Sequence, residues 1–198
     1  MRATIIEPGD YRSMRWRNGL GQSMEIAAAP GGDAAPWRFG IATIDRSCPF
    51  SIYPAHDRTI LPLDIDGFVL TFSGDESGPL TVDDPMRPVA FGGEWPAECR
   101  LLGGPVRAVN VMTDRTVFTH RVSVVSLTGE PVDCPLAGNP CLVLALRGDV
   151  IATIGGRAMT LTEHATLRLD GSIVPSLRLA ALGPVASAYV VGITEVRS

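Results

Sequence analysis

The sequence predicts an all-β protein, and three observations support that prediction. The 21 glycines and 16 prolines are spread along the 198 residues, as in chains with many tight turns. Short runs rich in Val, Ile, Thr and Phe lie between them, and this composition favours strands. No window of twelve or more residues holds a helical period, so we expect helices to be few and short.

The strands can be placed from these runs. Apolar and polar residues alternate with a period of two in residues 122–127 and 166–169, as expected of strands with one buried face. A chain of this length suits one large β domain or two small fused ones. The six clearest strand candidates are residues 68–72, 107–112, 117–127, 142–146, 149–154 and 188–196.

A faint internal repeat suggests two related halves. Residues 63–69 match residues 144–150 in their pattern of Leu, Gly and Val, at an offset of 81. Chance similarity is the alternative, because short β hairpins look alike. If the repeat is a duplication, Gly67 and Gly148 should occupy the same turn in each half.

Charge and composition exclude several classes of function. The formal net charge is −4 and no basic stripe is visible, so nucleic acid and anionic membranes are poor partners. All 17 basic residues are arginine, which excludes Schiff-base chemistry and a P-loop lysine. Arginine is therefore the only side-chain cation that can hold an anion.

The sequence predicts a cytoplasmic protein. No long apolar stretch precedes the first acidic residue, Glu7, as a secretory signal would require, and no run approaches the length of a membrane span. The cysteines Cys48, Cys99, Cys134 and Cys141 show no Cys-x-x-Cys spacing. We interpret them as small buried residues.

No motif for metal chemistry or nucleophilic catalysis stands out. The three histidines, His56, His120 and His164, are far apart in sequence and form no His-x-His pair, whereas metal ligands usually cluster. Ser51 lies in no Gly-x-Ser-x-Gly elbow, and a strand would place it on the opposite face from His56. We therefore expect no metal, no cofactor and no catalytic residue.

Polar residues interrupt the apolar strand patterns, and Arg58 is the sharpest case. It precedes an apolar strand pattern, and Asp57 beside it should point the other way. A buried arginine needs a carboxylate from the protein or from a ligand; a salt bridge at the rim is the structural alternative. Arg38 shares its face with Gly40 and Ala42, so these small neighbours leave space beside its side chain.

Asn18 and Ser51 have both structural and functional interpretations. The pair Asn18-Gly19 is a strong hairpin signal, but Gly21 nearby would permit close approach of a ligand. Both interpretations stay open. Ser51 shares a face with Tyr53, so the two hydroxyls could reach one cavity.

Four segments, in order, resemble the HutD/Ves family of bacterial bicupins. They read Trp-x-Asn-Gly-x-Gly at 16–21, Trp-Arg-x-x-Ile-Ala at 37–42, Pro-Phe-Ser with Pro-x-x-Asp-Arg at 49–58, and Asn-x-Met at 110–112. The resemblance covers about the first 115 residues well and the rest only in general pattern. Three positions depart from the family. This chain has Ser23 where the family usually has Thr, Gly40 where it usually has Ser, and Cys48 where it usually has Gly.

The resemblance implies two cupin-like jelly-roll barrels in a single compact bicupin unit. We predict that residues 1–132 form an N-terminal barrel with the polar pocket. Residues 133–198 would form a C-terminal half completed by N-terminal strands, with residues 133–140 as the passage between them.

The resemblance also implies a role in histidine utilisation, as a sensor or governor that binds a small anionic metabolite such as urocanate or formiminoglutamate. Two alternatives are a metal-independent cupin isomerase or epimerase and a stress-related interaction protein of the Ves type; a homodimer is an open possibility. Arg58 would hold the carboxylate, and Trp16 and Phe50 would form an apolar wall. The expected ligand-binding residues are Arg58, Asn18, Arg38, Ser51, Asn110, Trp16 and Phe50.

Overall fold

The computed structural model describes residues 1–73, 78–136, 138–171 and 177–196. Strands make up nearly all of the regular structure of these residues, with two short 3-10 turns. The chain divides into two compact units. We call Arg12–Thr119 the N-terminal barrel, and Met1–Tyr11 together with the chain from His120 onward the C-terminal barrel.

The 3-10 turns span Pro8–Asp10 and Gly32–Ala34. The strands are β1 (Arg2–Ile6), β2 (Arg12–Arg15), β3 (Gln22–Ala28), β4 (Trp37–Ile44), β5 (Cys48–Pro49), β6 (His56–Pro62), β7 (Phe68–Phe72), β8 (Leu80–Val82), β9 (Val89–Gly92), β10 (Ala97–Leu101), β11 (Val106–Asp114), β12 (Phe118–Leu127), β13 (Val132–Cys134), β14 (Cys141–Arg147), β15 (Val150–Ile154), β16 (Arg157–Leu161), β17 (Thr166–Asp170), β18 (Leu177–Ala181) and β19 (Ala186–Glu195).

The predicted all-β fold is confirmed, and each of the six predicted strands is present. The run at 68–72 is reproduced as β7, and the other five differ from their strands by one or two residues at an end. Among the described residues, no helix is long and apolar enough to cross a membrane.

The N-terminal barrel consists of two antiparallel sheets. One has the strand order β2-β3-β4-β11-β6-β9 and the other β5-β10-β7-β8. Inward-facing residues alternate with outward-facing ones along each strand, as in β7, where Phe68, Leu70 and Phe72 are buried and Thr71 is exposed. These residues pack with Ile60 and others in one apolar cluster, which fills part of the barrel interior.

The C-terminal barrel repeats this topology. Its sheets have the orders β1-β17-β14-β19-β12 and β13-β18-β15-β16. If β4 to β11 are matched one by one with β12 to β19, the order β4-β11-β6-β9 becomes β12-β19-β14-β17, and β5-β10-β7-β8 becomes β13-β18-β15-β16. The identical strand order supports an internal duplication.

Gly67 and Gly148 lie in equivalent turns of the two halves, as predicted, but they differ by one residue and do not superpose on each other. Both glycines lie in equivalent connections, but Gly67 directly precedes β7, whereas Gly148 lies two residues before β15 and has a φ of 65°. The strands align instead with Phe68 over Val150, both fully buried. An offset of 81 would place Phe68 on Asp149, and a shift of one residue exchanges the two faces of a strand.

The division between the barrels falls between Thr119 and His120, inside β12. The sequence placed it at 132/133 because residues 133–140 contain two prolines and a glycine. In the structure, the described part of that segment connects β13 with β14 within the C-terminal barrel. Strand β1 pairs with β17 along its whole length, so an N-terminal strand does form part of the second barrel.

We expect the apolar cluster of the N-terminal barrel to dominate its stability. Leu70→Ala should lower the free energy of unfolding by about 2–5 kcal/mol, because Leu70 is fully buried and its truncation leaves a cavity. The matched control is Leu102→Ala in the loop after β10, where Leu102 is 47% exposed. Urea denaturation of both variants checks this, and equal losses would contradict the assignment of the core.

Candidate functional site

Two adjoining chambers lie inside the N-terminal barrel. The outer chamber has a volume of about 140 Å³ and the inner chamber about 40 Å³. Arg15, Arg17 and Asp33 line the outer chamber and are exposed, so it opens to solvent. Five residues border both chambers and form the junction between them: Trp16, Ser23, Tyr53, Asn110 and Met112.

Strand alternation accounts for the residues on the chamber walls. Arg38 and Gly40 of β4 line the outer chamber, and Ala42 of the same strand lines the inner one. The alternation predicted from the sequence is therefore present. Gly40 has a further reason to lack a side chain, since a Cβ there would lie 2.6 Å from the carbonyl oxygen of Met24.

Arg58 lies at the inner chamber and is 6% exposed. Its Nη1 donates a 3.3 Å hydrogen bond to the carbonyl oxygen of Ser51, and its buried Nε has no hydrogen-bond partner. In the part of the chain that the structure describes, no carboxylate forms an ion pair with Arg58. Asp57 points away, as predicted, and pairs with Arg115 at 2.9 Å.

Aromatic rings, not carboxylates, surround the Arg58 guanidinium. Its Cζ lies 4.9 Å from the ring centroid of Phe91, 5.3 Å from that of Phe50 and 5.6 Å from that of Tyr53. Cation–π contacts offset only part of the cost of removing a cation from water. Burial accordingly lowers the pKa of Arg58 to about 10, which leaves the side chain charged at neutral pH.

Arg38, by contrast, has a partner. Its Nη1 donates to Glu25 Oε2 at 2.6 Å, and both side chains are nearly buried. Arg38 also donates to the carbonyl oxygen of Gly32, and the second oxygen of Glu25 accepts from Arg12 at 2.6 Å. Arg38 therefore lines the outer chamber as part of a cluster in which two arginines share one carboxylate.

Asn110 lies on β11 between β4 and β6. Its Oδ1 is buried and has no hydrogen-bond partner. The residues opposite it are Gly40 and Ile60, neither of which has a side-chain donor. A buried amide oxygen without a donor is costly, so this atom is a candidate for ligand contact.

Trp16 and Phe50 form an apolar wall. Their rings meet edge to face with centroids 5.6 Å apart, and Trp16 Nε1 donates to Ser23 Oγ at 2.9 Å. Gly21 lies under the Trp16 ring, since a Cβ at that position would be 2.7 Å from ring atoms. Close approach to Trp16, not to a ligand, explains this glycine.

Asn18 lines neither chamber, so the structure favours its interpretation as a turn residue. It lies in the hairpin between β2 and β3, where Gly19 has a φ of 72°. Its Nδ2 donates to the carbonyl oxygen of Pro49 at 2.8 Å and its backbone N donates to Ser51 Oγ at 3.2 Å. Asn18 therefore positions the loop that carries Ser51. The other six predicted residues line the chambers.

Glu25 and Arg17 were not among the predicted site residues. Glu25 follows Ser23 by two residues on β3, so alternation places both on one face. Arg17 stacks on the Tyr53 ring at 4.8 Å, so two arginines contact one tyrosine. Strand alternation could have placed Glu25 at the site from the sequence. The position of Arg17 could not be predicted in this way, because it depends on the path of the loop between β2 and β3.

The chambers are positively charged within an acidic protein. Four arginines line them (Arg15, Arg17, Arg38 and Arg58) against two carboxylates (Glu25 and Asp33), an excess of two positive charges. The chain as a whole carries −4. Concave sites lined by one sign of charge attract ligands of the opposite sign, so this cavity favours anions.

No histidine or cysteine of the described chain lines either chamber. His56 is in the N-terminal barrel, and its Nδ1 lies 2.8 Å from the carbonyl oxygen of Pro54, whereas His120 and His164 are in the C-terminal barrel. Within the described ranges, no three His, Cys, Asp or Glu residues cluster as metal ligands. The four cysteines are free and buried, and burial raises the pKa of Cys99 and Cys141 to about 12.

The C-terminal barrel has apolar residues where the N-terminal barrel has polar ones. Strands β11 and β19 begin with the buried residues Val106 and Ala186. If these two residues are aligned, Asn110 corresponds to Val190. The registers of β6 and β14 then place Arg58 over Cys141, because Arg58 pairs with Met112 and Cys141 with Gly192. At these two positions the described part of the second barrel has no counterpart of the polar side chains.

Similar proteins agree with this architecture. A protein from Pseudomonas putida, described as an uncharacterized 21.2 kDa protein in the hutC 3' region, is 31% identical over 85% of this chain and 87% of its own length. The structure of HutD from Pseudomonas fluorescens SBW25 in a formate condition superposes with a TM-score of 0.80 at 25% identity, over 99% of this chain and all of that one. A cupin 2 conserved barrel domain protein from Leptotrichia buccalis superposes with a TM-score of 0.60 at 9% identity, over 98% of both chains.

The fold and the cavity define a double cupin with a polar pocket in its N-terminal barrel. The family model HutD matches residues 9–186. The chain therefore belongs to the HutD family.

The burial of Arg58 without a carboxylate partner predicts an unusual mutational response. Arg58→Met should leave the melting temperature of the ligand-free protein unchanged or raise it, because an apolar side chain of similar length removes a desolvated charge. Arg38→Met should lower the free energy of unfolding by about 1–3 kcal/mol, because it leaves the nearly buried Glu25 with the exposed Arg12 as its remaining ion-pair partner.

Thermal denaturation of both variants beside the wild type measures this contrast. A melting temperature of Arg58→Met that falls as far as that of Arg38→Met would mean that Arg58 stabilises the fold. The cavity would then have no charge in need of a ligand.

Proposed function

We propose that this protein binds a small carboxylate metabolite in the N-terminal barrel, with the carboxylate on Arg58. The observation that supports this most strongly is the guanidinium itself: buried, charged, and paired with no carboxylate among the described residues. Arginine binds a carboxylate through two parallel hydrogen bonds. The parallel donors on one edge of the guanidinium are Nε and Nη2; Nε has no hydrogen-bond partner, and the contact with Ser51 uses Nη1, which lies outside this edge.

Neighbouring groups complement a bound carboxylate. The Ser51 hydroxyl accepts from Asn18 and retains a proton of its own to donate. The rings of Phe50, Tyr53 and Phe91 exclude water around the guanidinium, and a drier site strengthens the ion pair. The positive excess of the outer chamber would attract an anion towards the barrel.

The family suggests which carboxylates to test. The hutC region and HutD appear in the names of the relatives, and the family resemblance implies histidine utilisation. We therefore propose urocanate and formiminoglutamate as the first ligands, and a sensor as the role.

Calorimetric titration tests the proposal with wild type, Arg58→Lys and Arg58→Ala. Arg58→Lys keeps the charge and loses the planar fork, so the affinity for urocanate or formiminoglutamate should fall. Arg58→Ala should weaken binding by about 2 kcal/mol or more, about 30-fold. Arg107→Ala is the matched control, because Arg107 forms an exposed ion pair with Asp64 in the same barrel and should leave affinity unchanged.

The recovered ligand and the binding curves separate the alternatives. Urocanate returned unchanged supports a binding protein, whereas turnover would indicate an enzyme. No heat of binding and no thermal shift with either acid would contradict the proposal and favour an interaction protein. Equal affinities of the wild type and Arg58→Ala would mean that the carboxylate of the ligand binds to an arginine other than Arg58.

A further inference from the structure

The amide of Asn110 imposes a second requirement on the ligand, beyond its carboxylate. Asn110 borders both chambers, and its buried Oδ1 has no donor. Backbone pairing already fixes β11 between β4 and β6, so the side chain is not needed to hold the strand. An amide oxygen in this position can only gain by accepting a hydrogen bond.

The protein supplies no side-chain N–H at the junction for this oxygen. Of the other four junction residues, only Trp16 carries a side-chain N–H, and it donates to Ser23 Oγ at 2.9 Å. Ser23 and Tyr53 have hydroxyl donors at the junction, but neither hydroxyl bonds to Asn110 Oδ1 in the structure, and Met112 has no side-chain donor. A donor for Asn110 would therefore come most directly from the ligand.

The strand register places the two residues on one face of the sheet. Arg58 on β6 lies directly opposite Met112 on β11, and Asn110 is two residues further along the same face. The backbone positions of such diagonal neighbours are about 7–8 Å apart. Both side chains also line the inner chamber, so one small molecule can contact both.

We propose that the pocket selects acids that carry an N–H donor a few bonds from the carboxylate, with that N–H on Asn110 Oδ1. This inference rests on the proposed function, because it takes the carboxylate on Arg58 as its starting point. The ligand class is a carboxylate bearing an imidazole, amide or amidine N–H. Asn110 is then a specificity residue that rejects acids of the same shape without a donor.

The division of volume supports this arrangement. The inner chamber, about 40 Å³, is smaller than the outer chamber and contains Arg58 in its lining. Asn110 lies where the inner chamber meets the outer one, so the N–H would lie at the junction. The rest of the ligand would extend into the outer chamber, past the Arg38–Glu25 ion pair.

Matched acids test the proposal on the wild-type protein. Urocanate and (E)-3-(1H-pyrrol-3-yl)acrylate both carry a ring N–H, whereas (E)-3-(furan-3-yl)acrylate has nearly the same shape and none. We expect the two N–H acids to bind at least about tenfold more tightly than the furan acid in calorimetric titration. Equal affinities for the three acids would overturn the proposal without any variant.

Two variants assign the preference to Asn110. Asn110→Leu removes the acceptor at similar volume, so the preference should fall to about twofold or less while the furan acid binds as in wild type or better. Asn110→Asp keeps an acceptor and adds a negative charge, so all three acids should weaken while the preference remains. A preference that persists in Asn110→Leu would overturn the role of Asn110.

The outcome distinguishes this inference from the proposed function. Acids that bind through Arg58, as judged by Arg58→Ala, but show no N–H preference would overturn the inference and leave the proposed function standing. Failure of all three acids, and of formiminoglutamate as well, to bind would overturn both. Circular dichroism spectra of each variant establish that the barrel is folded before titration.

Discussion

The site depends on one constraint: a guanidinium is buried where the described chain offers it no carboxylate. Desolvation of Arg58 opposes its charge, and three aromatic rings and one weak hydrogen bond offset only part of that cost. Arg58 is anchored on β6, and only 6% of its surface is exposed. A bound carboxylate would complete the interaction, so fold stability and ligand affinity are expected to pull in opposite directions at this residue.

The second barrel has the same topology but no arginine at the position of Arg58. Its strands follow the same order, but Cys141 and Val190 stand at the positions of Arg58 and Asn110. Leu167, Val143 and their neighbours fill its interior. A duplicated β framework has thus kept one close-packed copy and one copy with a polar cavity. Function in such a protein is expected to reside in the first copy.

Much of the fold and part of the site could be predicted from the sequence. Alternation placed Arg58 opposite to Asp57 and Arg38 beside Gly40, because each relation lies within one strand. The repeat was found, but a connection of different length shifted its register by one residue. The sequence did not show that Glu25 pairs with Arg38, since that depends on how β3 aligns with β4. Nor did it show that Asn18 would bond to Pro49, because that contact joins two loops.

The most direct test is a crystal structure of the protein with urocanate bound at neutral pH. The account predicts a carboxylate within hydrogen-bond distance of Nε and an Nη of Arg58, in the inner chamber, with the ring N–H directed at Asn110. A carboxylate held only by the exposed Arg15 or Arg17, or an Arg58 that pairs with a carboxylate of the protein, would contradict it.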